Sequence, residues 1–250
     1  MMTGFIDIHC HLLPGLDDGP SGFETAASML EMAAADGIAH IFTTPHFQPG
    51  GGAYSTNSKE KIISALSSFQ SRLNTGVNLY YGSDVRISYD ITSRIENGEA
   101  ATLGGTEFFL LELTDHVLVP NVEGLVFNMR KRGLMPIITH PERYAYFLKD
   151  MAPLRLMREN GAMVQITALS VTGGFGRSAR KLCIGMLEEG MVDFVATDAH
   201  NTKGRPPVLS AAYNEIKKEF GDKAAGKIFF ENPKMILEKI ASGPLKNNPS

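Results

Sequence analysis

Seven short apolar runs, each followed by sequence with helical spacing, leave this chain few architectures to choose from. The runs begin at Phe5 and Ile6 and recur at Ile38–Thr44, Val77–Val85, Phe108–Leu113, 134–139, 162–167 and 192–197. Between them, helical periodicity falls after Phe23, over Ser58–Leu73, near Ile91, and over 121–132, 152–160 and 177–189. Two further helices, 207–220 and 222–241, close the chain. Ser21-Gly22-Phe23-Glu24 has the form of a capping box for the first helix. Strands alternating with helices give an α/β protein with a parallel sheet. With 43% hydrophobic residues in 250, one large core is within reach. No change of composition marks a linker, so 1–243 reads as a single domain and 244–250 as a flexible tail. A closed or nearly closed β/α barrel is the expected architecture, with its site at the C-terminal ends of the strands. An open doubly wound sheet is the alternative, weakened because no GxGxxG follows the first run.

The ends of those runs carry metal-ligand residues. In Asp7-Ile8-His9-Cys10-His11, strand alternation puts His9 and His11 on one face and Cys10 on the other. Two imidazoles so placed can clamp one divalent ion. The seventh run ends similarly, in Asp198 and His200. The other ends give Asp18 in the first loop, then His46, Asp84, Glu112 and His140, with Gln165 and Thr167 at the sixth. In a parallel barrel these ends converge. So many imidazoles and carboxylates repel and desolvate at great cost unless cations sit among them. The nine candidate ligands His9, His11, Asp18, His46, Asp84, Glu112, His140, Asp198 and His200 exceed the needs of one ion and suit two or three. Imidazole and carboxylate ligands fit manganese, iron or zinc. Such a centre lowers the pKa of bound water enough to supply hydroxide near neutral pH.

Beside the ligands stand Arg143, in His140-Pro141-Glu142-Arg143, and Arg205, in Gly204-Arg205-Pro206. A guanidinium fork matches phosphate oxygens, which points to phosphate-ester hydrolysis. For either arginine alone a surface salt bridge is the commoner role.

These residues together resemble a known family. Asp7-Ile8-His9-Cys10-His11, Asp17-Asp18-Gly19-Pro20, Thr44-Pro45-His46, Glu112, His140-Pro141-Glu142-Arg143-Tyr144, Asp198-Ala199-His200-Asn201, Gly204-Arg205-Pro206-Pro207 and Glu231-Asn232-Pro233 are similar to motifs of the bacterial manganese-dependent tyrosine-protein phosphatases of capsule and exopolysaccharide loci. Those enzymes belong to the PHP (polymerase and histidinol phosphatase) superfamily, and the resemblance spans essentially the whole chain. It implies a distorted, seven-stranded, TIM-like β/α barrel of the PHP type with a trinuclear centre, manganese being the first choice. It implies a cytoplasmic enzyme that hydrolyses phosphotyrosine on a tyrosine kinase of polysaccharide synthesis. By position, His9 and His11 would share one metal with Glu112 and Asp198, and Glu112 would bridge to a second held by His140. Asp18, His46 and His200 would complete a third, and Arg143 and Arg205 would hold the phosphate. One position departs from the family: Asp84 stands where a glutamate is usual, one methylene longer.

Other functions are weaker. A net charge of −3 gives no strong footprint for nucleic acid. The N-terminus lacks a basic region followed by a long apolar run, and no segment approaches about twenty uninterrupted apolar residues. Oligomeric state is open. Cys10 and Cys183 read as buried reduced thiols, and neither begins the CxxxxxR loop of a cysteine-nucleophile phosphatase. His40 reads as a surface or strand-start residue, and His116 as solvated, with contact to substrate as the alternative. Gly173-Gly174-Phe175-Gly176-Arg177 reads as a connection with a surface arginine, with an anion-binding loop as the alternative. The remaining rivals are a small-molecule phosphatase acting on a histidinol-phosphate-like substrate, a metal-dependent amidohydrolase, and a non-catalytic metal-binding module.

Overall fold

The computed structural model describes residues 4–243, so the expected flexible tail, 244–250, lies outside the described residues. In chain order the elements are β1 (Phe5–Cys10), α1 (Phe23–Ala35), β2 (Ile38–Thr43), β3 (His46–Phe47), α2 (Lys59–Gln70), β4 (Asn78–Tyr81), β5 (Asp84–Arg86), α3 (Ile91–Glu96) and β6 (Phe108–Glu112). They continue with α4 (Val122–Lys131), β7 (Met135–Thr139), α5 (Ala145–Lys149), α6 (Ala152–Glu159), β8 (Met163–Thr167), α7 (Ala168–Val171), α8 (Arg177–Glu188), β9 (Phe194–Ala196), α9 (Ser210–Gly226) and α10 (Asn232–Ala241).

All strand pairs are parallel, in two sheets of order β1-β2-β4 and β3-β5-β6-β7-β8-β9. Among the described residues there are thus nine strands, where seven were expected. The expected third strand, Val77–Val85, breaks at Gly82-Ser83 into β4 and β5, which lie in different sheets. The short β3 follows β2 after Thr44-Pro45. Gly82 donates to the Thr43 carbonyl, and a Cβ there would stand 2.8 Å from Leu103 Cδ2 and 3.1 Å from Thr44 Cγ2. The break is therefore held by close backbone approach as well as by hydrogen bonds. Backbone bonds also tie β1 to the chain beyond β9: Asp198 N–H donates to His9 O (2.8 Å) and His11 N–H to Ala199 O (2.9 Å).

Alternation along the strands sorts their side chains. On β6, Phe109 and Leu111 join the large core shared with the helices, while Phe108 and Leu110 join a smaller apolar cluster with Ile6, Ile8, Phe42, Ile137, Phe194 and Ile236. Glu112 continues the stripe of Phe108 and Leu110, Thr139 that of Ile137, and Asp198 that of Phe194 and Ala196. One face of the sheets thus changes from apolar to polar toward the strands' C-terminal ends.

One helix start departs from expectation. The capping box does not form: α1 starts from an extended Gly22 with no side-chain cap. The break expected between the last two helices falls at Gly221 (φ 87°), as the sequence predicts, and the chain then passes through a π turn at Lys227–Glu231 before α10. Ser58 caps α2 by accepting from the Lys61 amide. Among the described residues no helix is long and apolar enough to cross a membrane.

Candidate metal centre

His9 and His11 leave β1 on one face, with their Nε2 atoms 3.1 Å apart. A pairing irregularity in β1 lies between Asp7 and Cys10, just where the strand turns from the apolar cluster to the polar end. Cys10 faces the core, fully buried and unpaired, as does Cys183. The far end of the chain reaches the same place by another route. Asp198 and His200 lie past the end of β9, and Asp198 has a left-handed backbone, φ 50°. His140, just past β7, is likewise left-handed at φ 36°. Non-glycine residues rarely adopt that region, and its cost concentrates at functional sites. Neighbouring strands hold both in place: the His140 amide donates to Gln165 O and the Asp198 amide to His9 O.

All nine expected ligands come together. His11, Asp18, His46 and His200 form one group able to hold a cation. His9, His11 and Asp84 form a second, and His46, Asp84 and Glu112 a third. Within each group the donor atoms lie within 4.8 Å of one another. Asp84 therefore belongs to two groups despite its shorter side chain, with Oδ2 at 3.3 Å from His46 Nδ1 and 3.7 Å from His9 Nε2. Glu112 stands with His46 and Asp84, whereas the resemblance put it with His9 and His11. His140 Nε2 lies 3.9 Å from Asp84 Oδ2. Asp198 Oδ1 lies 3.4 Å from His9 Nε2 and 3.3 Å from His11 Nε2.

The donor set fits divalent ions on an observation of its own. His46 Nδ1, Asp84 Oδ2, Glu112 Oε2 and His200 Nε2 are buried and have no hydrogen-bond partner. Buried polar atoms facing one another in this way suit a cation placed between them. Their electrostatics agree. Burial, then the nearby Arg143, pushes His140 down to about 4; burial, then His11, pushes His200 down to about 4. Both are neutral near pH 7 and ready to donate a lone pair. Burial opposes the Asp84 charge, but His9, His140 and His46 overcome it and hold the carboxyl well below the usual range. Burial, reinforced by Asp84, lifts Glu112 to about 7.

Several residues hold the candidate ligands in a way the sequence did not assign to them. Asp17 Oδ2 accepts from His11 Nδ1 at 2.6 Å and from the His46 amide at 3.0 Å, while Oδ1 accepts from the Gly19 amide at 3.0 Å. One carboxylate so ties three ligand-bearing segments, and it turns His11 Nε2 toward the cluster. Burial would lower His11, but Asp17 and Asp198 hold it at about 10. Gln165 Oε1 does the same for His9, 2.9 Å from Nδ1. Asp7 joins β1 to the residue just past β9 through the Thr197 amide (3.0 Å) and hydroxyl (2.5 Å). Glu142 Oε1 accepts from the Thr167 amide, fixing the turn that carries His140 and Arg143. Arg86 at the end of β5 lies 3.1 Å from Glu112 Oε2 and 2.6 Å from Asp115 Oδ2. Asp7, Asp17 and Glu142 stood in the motifs and Gln165 at a strand end, but the bonds they make to distant segments carried no signal in the sequence. His40 pairs with the Tyr80 hydroxyl, and His116 is exposed in the loop after Glu112, so neither joins the cluster.

The two expected arginines meet the cluster at Asp198. Arg143 Nη1 and Arg205 Nη2 each donate to Asp198 Oδ2 at 2.5 Å. Their side chains remain 30% and 22% exposed, at the open edge of the site. Parallel α/β sheets thus end in a cluster of histidines and carboxylates able to hold metal ions, edged by two arginines.

The chain belongs to the capsular polysaccharide synthesis family CpsB/CapC, whose model matches residues 5–238. It is 31% identical over 237 residues to tyrosine-protein phosphatase YwqE of Bacillus subtilis strain 168, covering 93% of this chain and 91% of that protein. It is 28% identical over 240 residues to tyrosine-protein phosphatase CpsB of Streptococcus pneumoniae, covering 93% and 98%. A crystal structure from work on YwqE and CpsB, described there as unique metal-dependent tyrosine phosphatases, superposes with a TM-score of 0.89 at 30% identity, covering 94% of each chain.

Proposed function

We propose that this chain is a metal-dependent protein-tyrosine phosphatase, with His9, His11, Asp18, His46, Asp84, Glu112, His140, Asp198 and His200 as the ligands of two or three divalent ions. Asp198 carries the reading. One of its oxygens faces the imidazoles of His9 and His11, and the other accepts from both arginines. A single carboxylate therefore fixes how far the anion site stands from the metal site. When bound, the ions supply Lewis acidity toward phosphoryl oxygens and lower the pKa of the water they ligate.

The chain's own residues do the rest. Arg143 and Arg205 bind the phosphoryl oxygens and stabilise the charge that builds on them during transfer. Asp17 and Gln165 engage Nδ1 of His11 and His9, which directs each Nε2 toward the cluster. A tyrosine phenol has a pKa of about 10, so its phenolate leaves with far less proton assistance than an alkoxide. The partly exposed arginines and the half-exposed Asp18 leave the mouth open, which suits a peptide better than a small molecule in a closed cavity.

We read the two sheets as one distorted, TIM-like β/α barrel of the PHP type within a single domain. In it β2 with β3, and β4 with β5, are each one interrupted strand, which returns the expected seven. Manganese is the first choice of ion, the chain acts in the cytoplasm, and the substrate is a tyrosine kinase of capsule or exopolysaccharide synthesis. The test is turnover of a phosphotyrosine peptide against histidinol phosphate, with and without added Mn²⁺. Preference for the peptide, dependent on metal, is the expected result. Preference for histidinol phosphate would assign the chain to a small-molecule phosphatase.

A further inference from the structure

The loop between α7 and α8 has no part in the assignments above, yet it meets both arginines. It is a tight turn closed by its own backbone: Gly173 N–H donates to Ser170 O, Gly174 N–H to Leu169 O (2.8 Å), and Gly176 N–H to Gly173 O (2.9 Å). Gly173 and Gly176 both have left-handed backbones, φ 88° and 92°, which glycine adopts without strain. At Gly174 a Cβ would meet Leu169 Cδ1 at 2.4 Å. The turn is thus specified by three glycines around one aromatic residue, Phe175, which it presents half-buried.

The Phe175 ring lies against both guanidiniums. Arg143 Cζ is 4.9 Å and Arg205 Cζ 5.8 Å from its centroid, each within the roughly 6 Å over which a cation is drawn to an aromatic face. Two like charges that converge on one carboxylate oxygen repel each other. Asp198 draws their tips together, and the ring restrains the planes behind them. These two supports come from different parts of the chain, one past β9 and one before α8.

We propose that Phe175 is a positioning residue that holds Arg143 and Arg205 side by side so that both engage one phosphoryl group. The proposal rests on the phosphatase reading of the site and adds a residue to it. A merely structural Phe175 would fill space, and leucine would serve nearly as well. A positioning Phe175 needs its π face, so tyrosine would serve and leucine would not.

The experiment compares wild type, Phe175→Leu and Phe175→Tyr, all metal-loaded, by calorimetric titration with inorganic phosphate, which needs no turnover. Metal content and melting temperature are measured alongside. For Phe175→Leu we expect phosphate affinity to fall about three- to tenfold, the range that loss of cation–π contacts with partly exposed guanidiniums implies, with metal content and melting temperature unchanged. Phe175→Tyr should restore wild-type affinity. Should Phe175→Leu not fold, Phe175→Met faces the same criteria. Wild-type phosphate affinity in the aliphatic variant, equal weakness in the tyrosine variant, or loss of metal in step with affinity would each overturn the proposal. Wild-type protein that binds no phosphate overturns it as well. Absence of phosphotyrosine turnover in a wild type that still binds phosphate would remove the phosphatase reading instead, leaving the role of Phe175 to be decided by the titration.

Discussion

Asp84 shows what a single methylene decides. A carboxylate on a divalent ion sits about 2.0–2.2 Å from it, and shortening the side chain withdraws the group by roughly 1.5 Å. The structure nevertheless keeps Asp84 Oδ2 among three imidazoles, fully buried and without a hydrogen-bond partner. We expect Asp84→Ala to lower metal occupancy and phosphotyrosine turnover, and Asp84→Glu to retain both, as read by elemental analysis and kinetics. An alanine variant unchanged in both would remove Asp84 from the site. For Arg143→Ala and Arg205→Ala, kcat/KM on a phosphotyrosine peptide should fall by about 2–4 kcal/mol of transition-state stabilisation each, with metal content intact. Loss of metal with undiminished rate per loaded site would make that arginine a support. Asp17→Asn should weaken metal binding about 10- to 100-fold, because an amide cannot accept from His11, His46 and Gly19 as the carboxylate does. Metal titration measures it, and unchanged affinity would end the idea. The nine candidate ligands were legible in the sequence because each ends a run of apolar residues or follows one closely. Gln165, Arg86 and Phe175 were not legible in these roles, because what each does depends on a partner from elsewhere in the chain.

At the scale of elements, the apolar runs marked strands well because both faces of a covered parallel sheet are buried. The interruption at Gly82-Ser83 was invisible for the same reason. Nothing in Val77–Val85 changes period there, and the break depends on contacts with Thr43, Thr44 and Leu103. The S-x-x-E pattern failed for a complementary reason: α1 begins at Phe23, so Ser21 precedes the cap and Glu24 lies too early in the first turn. Gly82→Ala tests the first point. The added methyl presses on Leu103, which is itself fully buried, so we expect a loss of about 1–3 kcal/mol in denaturant unfolding. A fully stable alanine variant would mean that the break relaxes freely.

Across the whole molecule, the buried carboxylates and imidazoles tie stability to metal supply. Chelation should abolish activity and lower the melting temperature, and a divalent ion, Mn²⁺ first, should restore both. At an ion concentration about a hundredfold above its dissociation constant, mass action predicts roughly 2.7 kcal/mol of stabilisation per site. Full activity in metal-stripped protein would end the metal-dependent reading. The left-handed backbones of His140 and Asp198 carry a different consequence, for descent. Few side chains other than glycine, asparagine, aspartate and histidine tolerate that conformation. A lineage that gave up metal chemistry while keeping this fold would be steered toward glycine or asparagine at 140 and 198. Its genes would then carry a fossil of the lost centre, written in the backbone after the ligands had gone.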